Sequence, residues 1–209
     1  MSAPVRVFII DDDDAVRSSL RMLLESAGFE VADYAHAVEF LDHCSPASRG
    51  CVISDLQMPG LDGLQLQASL DRRGVGLPMI MLTGHADVPA AVQSLKAGAI
   101  DFLEKPFDPE QLLALVRMAL ELDARRHQAS AQAARRARLL ARLTAREREV
   151  IERVALGHSN KAVAADLGIS ERTVELHRAR GMQKLELRSV AALVHFLDST
   201  NIVPDSGAD

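Results

Sequence analysis

Residues 51–60 read Cys51-Val52-Ile53-Ser54-Asp55-Leu56-Gln57-Met58-Pro59-Gly60, in which an apolar run is followed by an aspartate and a Pro-Gly pair. The apolar start of this segment predicts a buried strand, and Leu61-Asp62-Gly63 after it predicts the beginning of a helix. Asp55 then lies at the carboxyl end of a strand, where open α/β sheets place their ligand sites. An aspartate there is more often a turn former or a helix cap, so it indicates a site only if other charged residues converge on it.

Strand and helix patterns alternate through the whole first half. The apolar runs predict strands at residues 5–10, 29–34, 51–54, 78–82 and 100–103. Helical spacing of apolar residues predicts helices at residues 15–27, 38–41, 64–70, 88–96 and 109–122. Such alternation is typical of βαβ units, so we expect an α/β fold: a five-stranded, doubly wound parallel sheet of the flavodoxin-like kind.

Charged and hydroxyl side chains follow the strand ends, which share one edge of a parallel sheet. They are Asp11 and Asp12 after the first strand, Asp55 after the third, Thr83 after the fourth and Lys105 after the fifth. Three neighbouring carboxylates repel one another unless a cation joins them, and oxygen-only ligands suit Mg²⁺. A carboxylate can accept a phosphoryl group, which a lysine and a hydroxyl can hold. The pattern therefore predicts phosphoryl transfer to Asp55.

These residues resemble the receiver domain of two-component response regulators over about residues 4–122. The matching motifs are Ile9-Ile10-Asp11-Asp12, Asp55 with Met58-Pro59-Gly60, Thr83-Gly84-His85, and Phe102-Leu103-Glu104-Lys105-Pro106-Phe107. The resemblance implies that Asp55 is the phosphoacceptor. It also implies that Asp12, Asp55 and the backbone carbonyl of Gln57 ligate Mg²⁺, and that Asp11 acts mainly through metal-bound water.

The resemblance further assigns a switch. Thr83 and Lys105 would bind the phosphoryl group, Phe102 would change rotamer together with Thr83, and Lys105-Pro106 would be a cis peptide. Among the neighbouring residues, we expect Asp14 to cap the first helix and Phe107 to serve packing alone.

Charge divides the chain into two parts. Residues 1–120 hold 9 basic and 17 acidic residues, a net charge of −8, whereas residues 121–209 hold 15 and 12, a net charge of +3. The basic part is the candidate for nucleic-acid binding. An apolar run long enough for a transmembrane helix and a signal-peptide pattern are both lacking, so we expect a cytoplasmic protein without membrane attachment. Cys44 and Cys51 are too few for a disulfide framework.

Residues 121–143 contain neither glycine nor proline and are rich in alanine and arginine, which are strong helix formers. We expect a helical linker at residues 123–142. Its thin apolar stripe leaves two alternatives open: pairing with a second copy, or a solvated single helix.

Capping signals define the second half. Thr144 and Glu147 have the spacing of a capping box, and Ser159 and Ser170 each precede a helical pattern. The predicted helices begin at Thr144, follow at residues 160–167 and 170–185, and end with one at residues 189–197. We expect an all-α domain of four helices at residues 143–200. It contains a helix-turn-helix whose second helix enters the major groove of DNA.

The outward face of that second helix predicts the base contacts. Arg172 suits guanine, Leu176 a thymine methyl group and Glu175 a cytosine amino group, whereas Arg178 falls towards the inside. Lys161, Arg180 and Lys184 are placed for phosphates. The full predicted DNA-contact set is Lys161, Arg172, Thr173, Glu175, Leu176, Ala179, Arg180 and Lys184.

The second half resembles the DNA-binding domain of the LuxR/NarL class, and the whole chain resembles the FixJ-like branch of response regulators. The motifs are Leu143-Thr144-Ala145-Arg146-Glu147-Arg148-Glu149-Val150, Gly157-His158-Ser159-Asn160-Lys161, Thr173-Val174-Glu175-Leu176-His177-Arg178 and Met182-Gln183-Lys184-Leu185. The resemblance implies a sensor histidine kinase, double-stranded DNA, RNA polymerase and, on phosphorylation, a second copy of the chain as partners. Residues 201–209 are expected to be a disordered tail.

Three other functions compete with a phosphorylation-controlled transcription regulator. The first is a phosphorylation-independent DNA-binding protein whose receiver part is only a dimerisation module. The complete set of charged residues at the strand ends argues against this function. The second is a phosphotransfer enzyme, against which the lack of another catalytic motif in residues 123–209 argues. We expect no enzyme activity beyond the receiver's own phosphorylation and dephosphorylation. The third is a thiol sensor that uses Cys44 and Cys51.

Overall fold

The computed structural model describes residues 4–84 and 98–198. The chain divides into two compact units, residues 1–127 and residues 128–209. The predicted helix at residues 88–96, His85 and the predicted tail lie outside the described residues.

A five-stranded parallel sheet forms the centre of the first unit. Its strands are β1 (Val5–Ile10), β2 (Val31–Tyr34), β3 (Arg49–Asp55), β4 (Met79–Thr83) and β5 (Asp101–Glu104). They are arranged in the order β2-β1-β3-β4-β5, and every pair of neighbours is parallel. This confirms the predicted sheet, since the crossover from β2 back past β1 to β3 is the doubly wound connection.

Helices cover both faces of this sheet. They are α1 (Asp14–Ser26), α2 (Ala37–His43), α3 (Gly63–Arg72) and α4 (Pro109–Ala141). Alternate strand residues point to opposite faces, so Phe8 packs with α2 and α3 in one core cluster, whereas Ile9 packs with α1 and α4 in another. Phe107 is partly buried against the second cluster, in agreement with the packing role predicted for it.

Two strand boundaries differ from prediction in a way that matters for the site. β3 starts at Arg49 and includes Asp55, and β4 includes Thr83, so both residues are the last of their strands. The early start of β3 is held by Arg49, whose Nε donates to Oδ2 of Asp123 at 2.8 Å. Both side chains of this ion pair are nearly buried, so it attaches the start of β3 to helix α4.

The cap of α1 was predicted one residue too late. Asp13, not Asp14, has the extended backbone of a cap, and its Oδ1 accepts from the N–H groups of Ala15 at 2.8 Å and Val16 at 3.3 Å. Asp14 is instead the first helical residue. The difference arises because the cap must stand outside the helix and reach back to the second or third N–H group.

The helix α4 is continuous over 33 residues, Pro109–Ala141. It includes the predicted linker from Asp123 onwards, which is therefore helical as expected. Among the residues that the structure describes, no helix is both long and apolar enough to cross a membrane.

The second unit contains four helices after α4, as predicted: α5 (Ala145–Ala155), α6 (Asn160–Leu167), α7 (Glu171–Lys184) and α8 (Val190–Asp198). Thr144 and Glu147 form the predicted capping box, and Ser159 and Ser170 cap α6 and α7. Gly168 ends α6 at φ 64°, a left-handed conformation that glycine adopts without strain. These local signals produce the tight turn between α6 and α7.

Candidate functional site

Three carboxylates meet at the carboxyl edge of the sheet. Oxygen atoms of Asp11, Asp12 and Asp55 all lie within 4.8 Å of one another. Asp11 is only 1% exposed, whereas Asp12 is exposed and Asp55 is intermediate between them. The cluster therefore has one buried and one open side.

Lys105 joins two of these carboxylates. Its Nζ donates to Oδ2 of Asp11 at 2.8 Å and to Oδ2 of Asp55 at 2.7 Å. Burial alone would lower the pKa of Lys105, but the hydrogen bonds to Asp11 and Asp55 outweigh it, and the pKa of Lys105 is raised. The lysine is therefore a firmly charged group at the centre of the cluster.

The buried carboxylate has a different electrostatic environment. Burial raises the pKa of Asp11, and the hydrogen bonds from Lys105 and from the backbone N–H of Asp13, at 2.9 Å, only partly offset this rise. One ammonium group thus does not fully offset the effect of burial on this carboxylate.

The cluster fits a hard divalent cation. All its donor atoms are oxygens, three carboxylates stand close enough to share one ion, and Asp12 is exposed to solvent. Asp11, Asp12 and Asp55 are the side chains that would hold Mg²⁺. Gln57, predicted to ligate through its carbonyl, is exposed, and its N–H donates to Oδ1 of Asp55 at 3.1 Å.

The predicted switch residues flank the cluster on β4 and β5. Thr83 is 2% exposed, and its hydroxyl donates to the carbonyl of Gly84 at 3.1 Å. The N–H of Lys105 donates to the carbonyl of Thr83 at 2.8 Å, which joins the two phosphate-binding candidates through the backbone. Phe102 is partly buried at the margin of a core cluster. The Lys105–Pro106 bond is cis, as the resemblance implied.

Gly63 lies directly behind the phosphoacceptor candidate. Its N–H donates to the carbonyl of Leu56 at 3.1 Å, and a Cβ atom on it would lie 2.6 Å from the carbonyl oxygen of Asp55. Glycine therefore allows the first turn of α3 to contact the end of β3.

The two thiols are not placed for redox sensing. Cys51 is completely buried, and burial raises its pKa to about 12. Cys44 is partly buried, and burial raises its pKa also. Reactive cysteines have lowered pKa values and accessible sulfur atoms, so this environment argues against a thiol sensor.

A separate candidate site occupies the outer face of α7. Val174 and Gly181 are buried on its inner face, in agreement with the predicted helical face. Most of the predicted base-contact and phosphate-contact side chains are exposed, namely Lys161, Arg172, Glu175, Leu176, Ala179 and Arg180, and Thr173 is partly exposed. Leu176 is 47% exposed and therefore accessible on this face.

Two basic residues of α7 have partners within the second unit. Nζ of Lys184 donates to Oε2 of Glu147 at 2.6 Å, so a contact with a DNA phosphate would require this pair to open. Arg178 is partly buried and donates from its guanidinium to Oδ1 of Asn160 at 3.2 Å, which joins α7 to the start of α6.

Several residues around these sites are not among the predicted ones. They are Gly63, the partner Glu147 of Lys184 and the partner Arg49 of Asp123. Arg17 is a further one, and its guanidinium donates to the carbonyl of Asp11 at 2.7 Å. Only Arg17 had a local signal, since Asp14 precedes it by three residues on α1, and this spacing favours their ion pair but does not predict the contact with the carbonyl of Asp11.

Two family models match this chain. The response regulator receiver domain matches residues 7–117, and the luxR family of bacterial regulatory proteins matches residues 141–197. The transcriptional regulatory protein FixJ of Azorhizobium caulinodans is 44% identical, over 100% of this chain and 99% of its own. FixJ of Bradyrhizobium diazoefficiens is 40% identical, over 98% of this chain and 100% of its own.

Solved structures agree with these relatives. The response regulator StyR has a TM-score of 0.89 at 44% identity, covering 94% of this chain and 100% of its own. Full-length FixJ from B. japonicum has a TM-score of 0.58 at 39% identity, covering 96% and 99%. With a carboxylate cluster on a receiver sheet and a helix-turn-helix after it, the chain belongs to the two-component response regulators, in the FixJ-like branch that joins a receiver to a LuxR-type DNA-binding domain.

Proposed function

We propose that Asp55 is the residue whose phosphorylation controls this regulator, and that a sensor histidine kinase is the phosphodonor. The observation that carries the proposal is the bridge from Lys105 to Asp55 and Asp11 within the carboxylate cluster. A carboxylate oxygen of Asp55 attacks the phosphorus of a phosphohistidine, so a P–O bond forms and the P–N bond breaks. The released imidazole nitrogen takes up a proton.

Mg²⁺, held by Asp12, Asp55 and the carbonyl of Gln57, with Asp11 acting mainly through metal-bound water, would neutralise charge on the phosphoryl group. The chain's own residues supply the remaining contacts. Lys105 already donates to the oxygen atoms of Asp55, and the same ammonium can follow a phosphoryl oxygen once it is attached there.

The switch follows from the position of Thr83. Its hydroxyl donates to Gly84 in the structure, so binding a phosphoryl oxygen requires this hydrogen bond to be exchanged. We propose that Phe102 changes rotamer at the same time. The surface of β5, α4 and the predicted helix at residues 88–96 would rearrange with it, which drives formation of a homodimer, release of the DNA-binding domain, or both.

The output is recognition of double-stranded DNA by α7. Arg172, Glu175 and Leu176 would read base edges, with Thr173 and Ala179 beside them. Lys161 and Arg180 would bind phosphates, and Lys184 would join them only by leaving Glu147. A homodimer would place two copies of α7 on a two-fold DNA site. We further propose that the regulator acts in the cytoplasm and contacts RNA polymerase.

The domain division we propose is a receiver at residues 1–122, a helical linker at 123–142 and a DNA-binding domain at 143–200. The linker is not independent of the second unit. Leu139 is buried in the core of that unit, Arg135 and Arg142 pair with Glu186, and the guanidinium of Arg136 lies 5.4 Å from the ring centroid of Phe196.

Intact-mass spectrometry tests the phosphoacceptor directly. The full chain is incubated with Mg²⁺ and acetyl phosphate, and we expect one added phosphoryl group in the parent and none in Asp55→Asn. Asp62→Asn is the matched control, because Asp62 follows Asp55 closely but serves as the cap of α3. A phosphoryl group that persists in Asp55→Asn would show that another residue is the acceptor.

A further inference from the structure

Arg17 makes a contact at the phosphorylation site that the proposed chemistry does not use. Its side chain is only 11% exposed, although it belongs to a surface helix. Nη1 donates to the backbone carbonyl of Asp11 at 2.7 Å. The rest of the guanidinium faces two carboxylates, Asp14 on α1 and Asp33 on β2, with Nε 3.7 Å from Oδ2 of Asp33.

Within the described part of the chain, the carbonyl that Arg17 holds lies past the paired residues of β1. The N–H of Asp11, one residue past the end of β1, donates to the carbonyl of Tyr34, the last paired residue of β2, at 3.3 Å. The chain then leaves the sheet, so the segment that carries the acidic pair lacks further ladder bonds. Arg17 therefore donates a hydrogen bond to the first backbone carbonyl beyond the end of β1.

This carbonyl determines the direction of two metal-site side chains. It belongs to the planar peptide group that joins Asp11 to Asp12. Holding that plane constrains ψ of Asp11 and φ of Asp12, and hence the directions of the Cα–Cβ bonds from which both carboxylates extend. The carboxylate of Asp11 is held on its other side by Lys105 and by the N–H of Asp13.

The contribution of Arg17 is geometric more than electrostatic. Its positive charge is shared with Asp14 and Asp33, and both of these ion pairs lie outside the carboxylate cluster. A buried, ion-paired guanidinium has few alternative rotamers, and its fork binds a carbonyl and carboxylates at once. The two acidic partners therefore orient the arginine, and the arginine orients the acidic loop.

We propose that Arg17 is a positioning residue for the phosphorylation site: it sets the peptide plane between Asp11 and Asp12 for Mg²⁺ binding and thereby the rate of Asp55 phosphorylation. The inference rests on the proposed function, but its first consequence, the affinity for Mg²⁺, is measurable without any phosphoryl transfer. Loss of an outer-shell partner typically weakens metal binding by about 10-fold to 100-fold.

The experiment compares Arg17→Met with Arg21→Met in the full chain. Arg21 is the matched control, because it lies one turn further along α1 and contacts the same Asp33, but it is 40% exposed and its other partner is Glu25 at 3.5 Å. The dissociation constant for Mg²⁺ is obtained from the metal-dependent rise of the unfolding midpoint, measured against each variant's own metal-free value. The initial rate with acetyl phosphate is then measured.

We expect Arg17→Met to raise the Mg²⁺ dissociation constant about tenfold and to slow phosphorylation at sub-saturating Mg²⁺, with partial recovery at high Mg²⁺. Arg21→Met stays within about twofold of the parent, and Arg17→Lys, which retains a donor, lies between the parent and Arg17→Met. If Arg17→Met does not fold, a raised dissociation constant in Arg17→Lys carries the same conclusion.

Parental Mg²⁺ affinity in a folded Arg17→Met, or an equal loss in Arg21→Met, would overturn the positioning role. Failure of the proposed function looks different. The parent would then bind Mg²⁺ but gain no phosphoryl group on Asp55, while the difference in Mg²⁺ affinity between the two arginine variants would remain.

Discussion

Lys105 donates from Nζ to Oδ2 of Asp55 at 2.7 Å, although fifty residues separate the two in the chain. The same ammonium contacts Asp11, so one cation is shared by two carboxylates at the carboxyl edge of the sheet. Without a bound cation, this shared ammonium is the principal charge that stabilises the cluster. With a phosphoryl group on Asp55, it becomes the nearest donor for the added oxygen atoms.

Lys105→Met therefore removes a donor that the proposed phosphoryl transfer uses. Loss of one preorganised donor to developing negative charge costs about 100-fold in rate. We expect a fall of that order in the initial rate of phosphorylation by acetyl phosphate, measured by intact mass. Lys161→Met, on an exposed position of the second unit, is the control and leaves the rate unchanged. Equal rates for Lys105→Met and the parent would contradict the assignment.

Gly63→Ala tests the contact between α3 and the phosphoacceptor. The added Cβ atom would lie 2.6 Å from the carbonyl oxygen of Asp55 and 3.1 Å from Cα of Leu56, and both are backbone atoms that cannot move aside cheaply. We expect a loss of about 1–3 kcal/mol in the free energy of unfolding and slower phosphorylation. Urea unfolding followed by the fluorescence of Tyr34, the only tyrosine in a chain without tryptophan, measures this loss.

The matched control for that variant is Gly76→Ala. A Cβ atom on Gly76 would meet no heavy atom within 4 Å, and its backbone does not require glycine. We expect this change to leave stability and phosphorylation near the parental values. Equal effects of the two substitutions would mean that the close approach of α3 to Asp55 is not the cause of the losses in stability and phosphorylation rate.

The pair of Glu147 and Lys184 makes the stability of the second unit dependent on pH. The hydrogen bond from Lys184 lowers the pKa of Glu147 below its ordinary 4.5, and the bond from the backbone of Thr144 adds to this. Folding thus favours the ionised carboxylate. Its contribution is complete above pH 4.5 and is lost as the pH falls through the lowered value.

Glu147→Gln should remove this pH dependence and cost roughly 1 kcal/mol at neutral pH, since the partly exposed Lys184 regains water. Urea unfolding at several pH values, followed by far-ultraviolet circular dichroism, measures it. Glu149→Gln breaks an exposed pair with Arg146 and serves as the control with little effect. A Glu147→Gln profile parallel to that of the parent below pH 5 would contradict the role of this pair.

Substitutions of base-reading residues and of phosphate-binding residues should have different effects on DNA binding. Arg172→Ala is expected to cost about 1–3 kcal/mol on the preferred site and to relax discrimination at one base pair. Lys161→Ala should weaken binding to every sequence about equally and reduce the salt slope by about one. Fluorescence anisotropy at several salt concentrations distinguishes the two patterns. If Arg172→Ala weakened binding to every DNA sequence equally, Arg172 would be a phosphate contact and not a base contact.

Much of the fold was predictable because its signals are local. Apolar runs, the capping box at Thr144 and the left-handed Gly168 each depend on a few neighbouring residues. The strand ends were less predictable, since β3 and β4 gain their last residues from pairing with neighbours that are distant in sequence. Asp55 and Thr83 are for that reason inside their strands.

Side-chain partners across the fold could not be predicted from spacing. The helical face of α7 was predicted correctly for Val174 and Gly181, but Lys184 was assigned to phosphate because its partner Glu147 lies 37 residues away. The cap of α1 depended on backbone angles that place Asp13, not Asp14, outside the helix. Arg17 donates to the backbone carbonyl of Asp11, six residues before it, and side-chain spacing along a helix does not predict such a contact.

DNA affinity and mass in solution, measured with and without acetyl phosphate and Mg²⁺ for the parent and Asp55→Asn, test the central claim most directly. We predict that phosphodonor raises both the dimer content and the DNA affinity of the parent, and changes neither in Asp55→Asn. Equally tight DNA binding by the unphosphorylated parent would contradict the claim, and the receiver would then be a dimerisation module only.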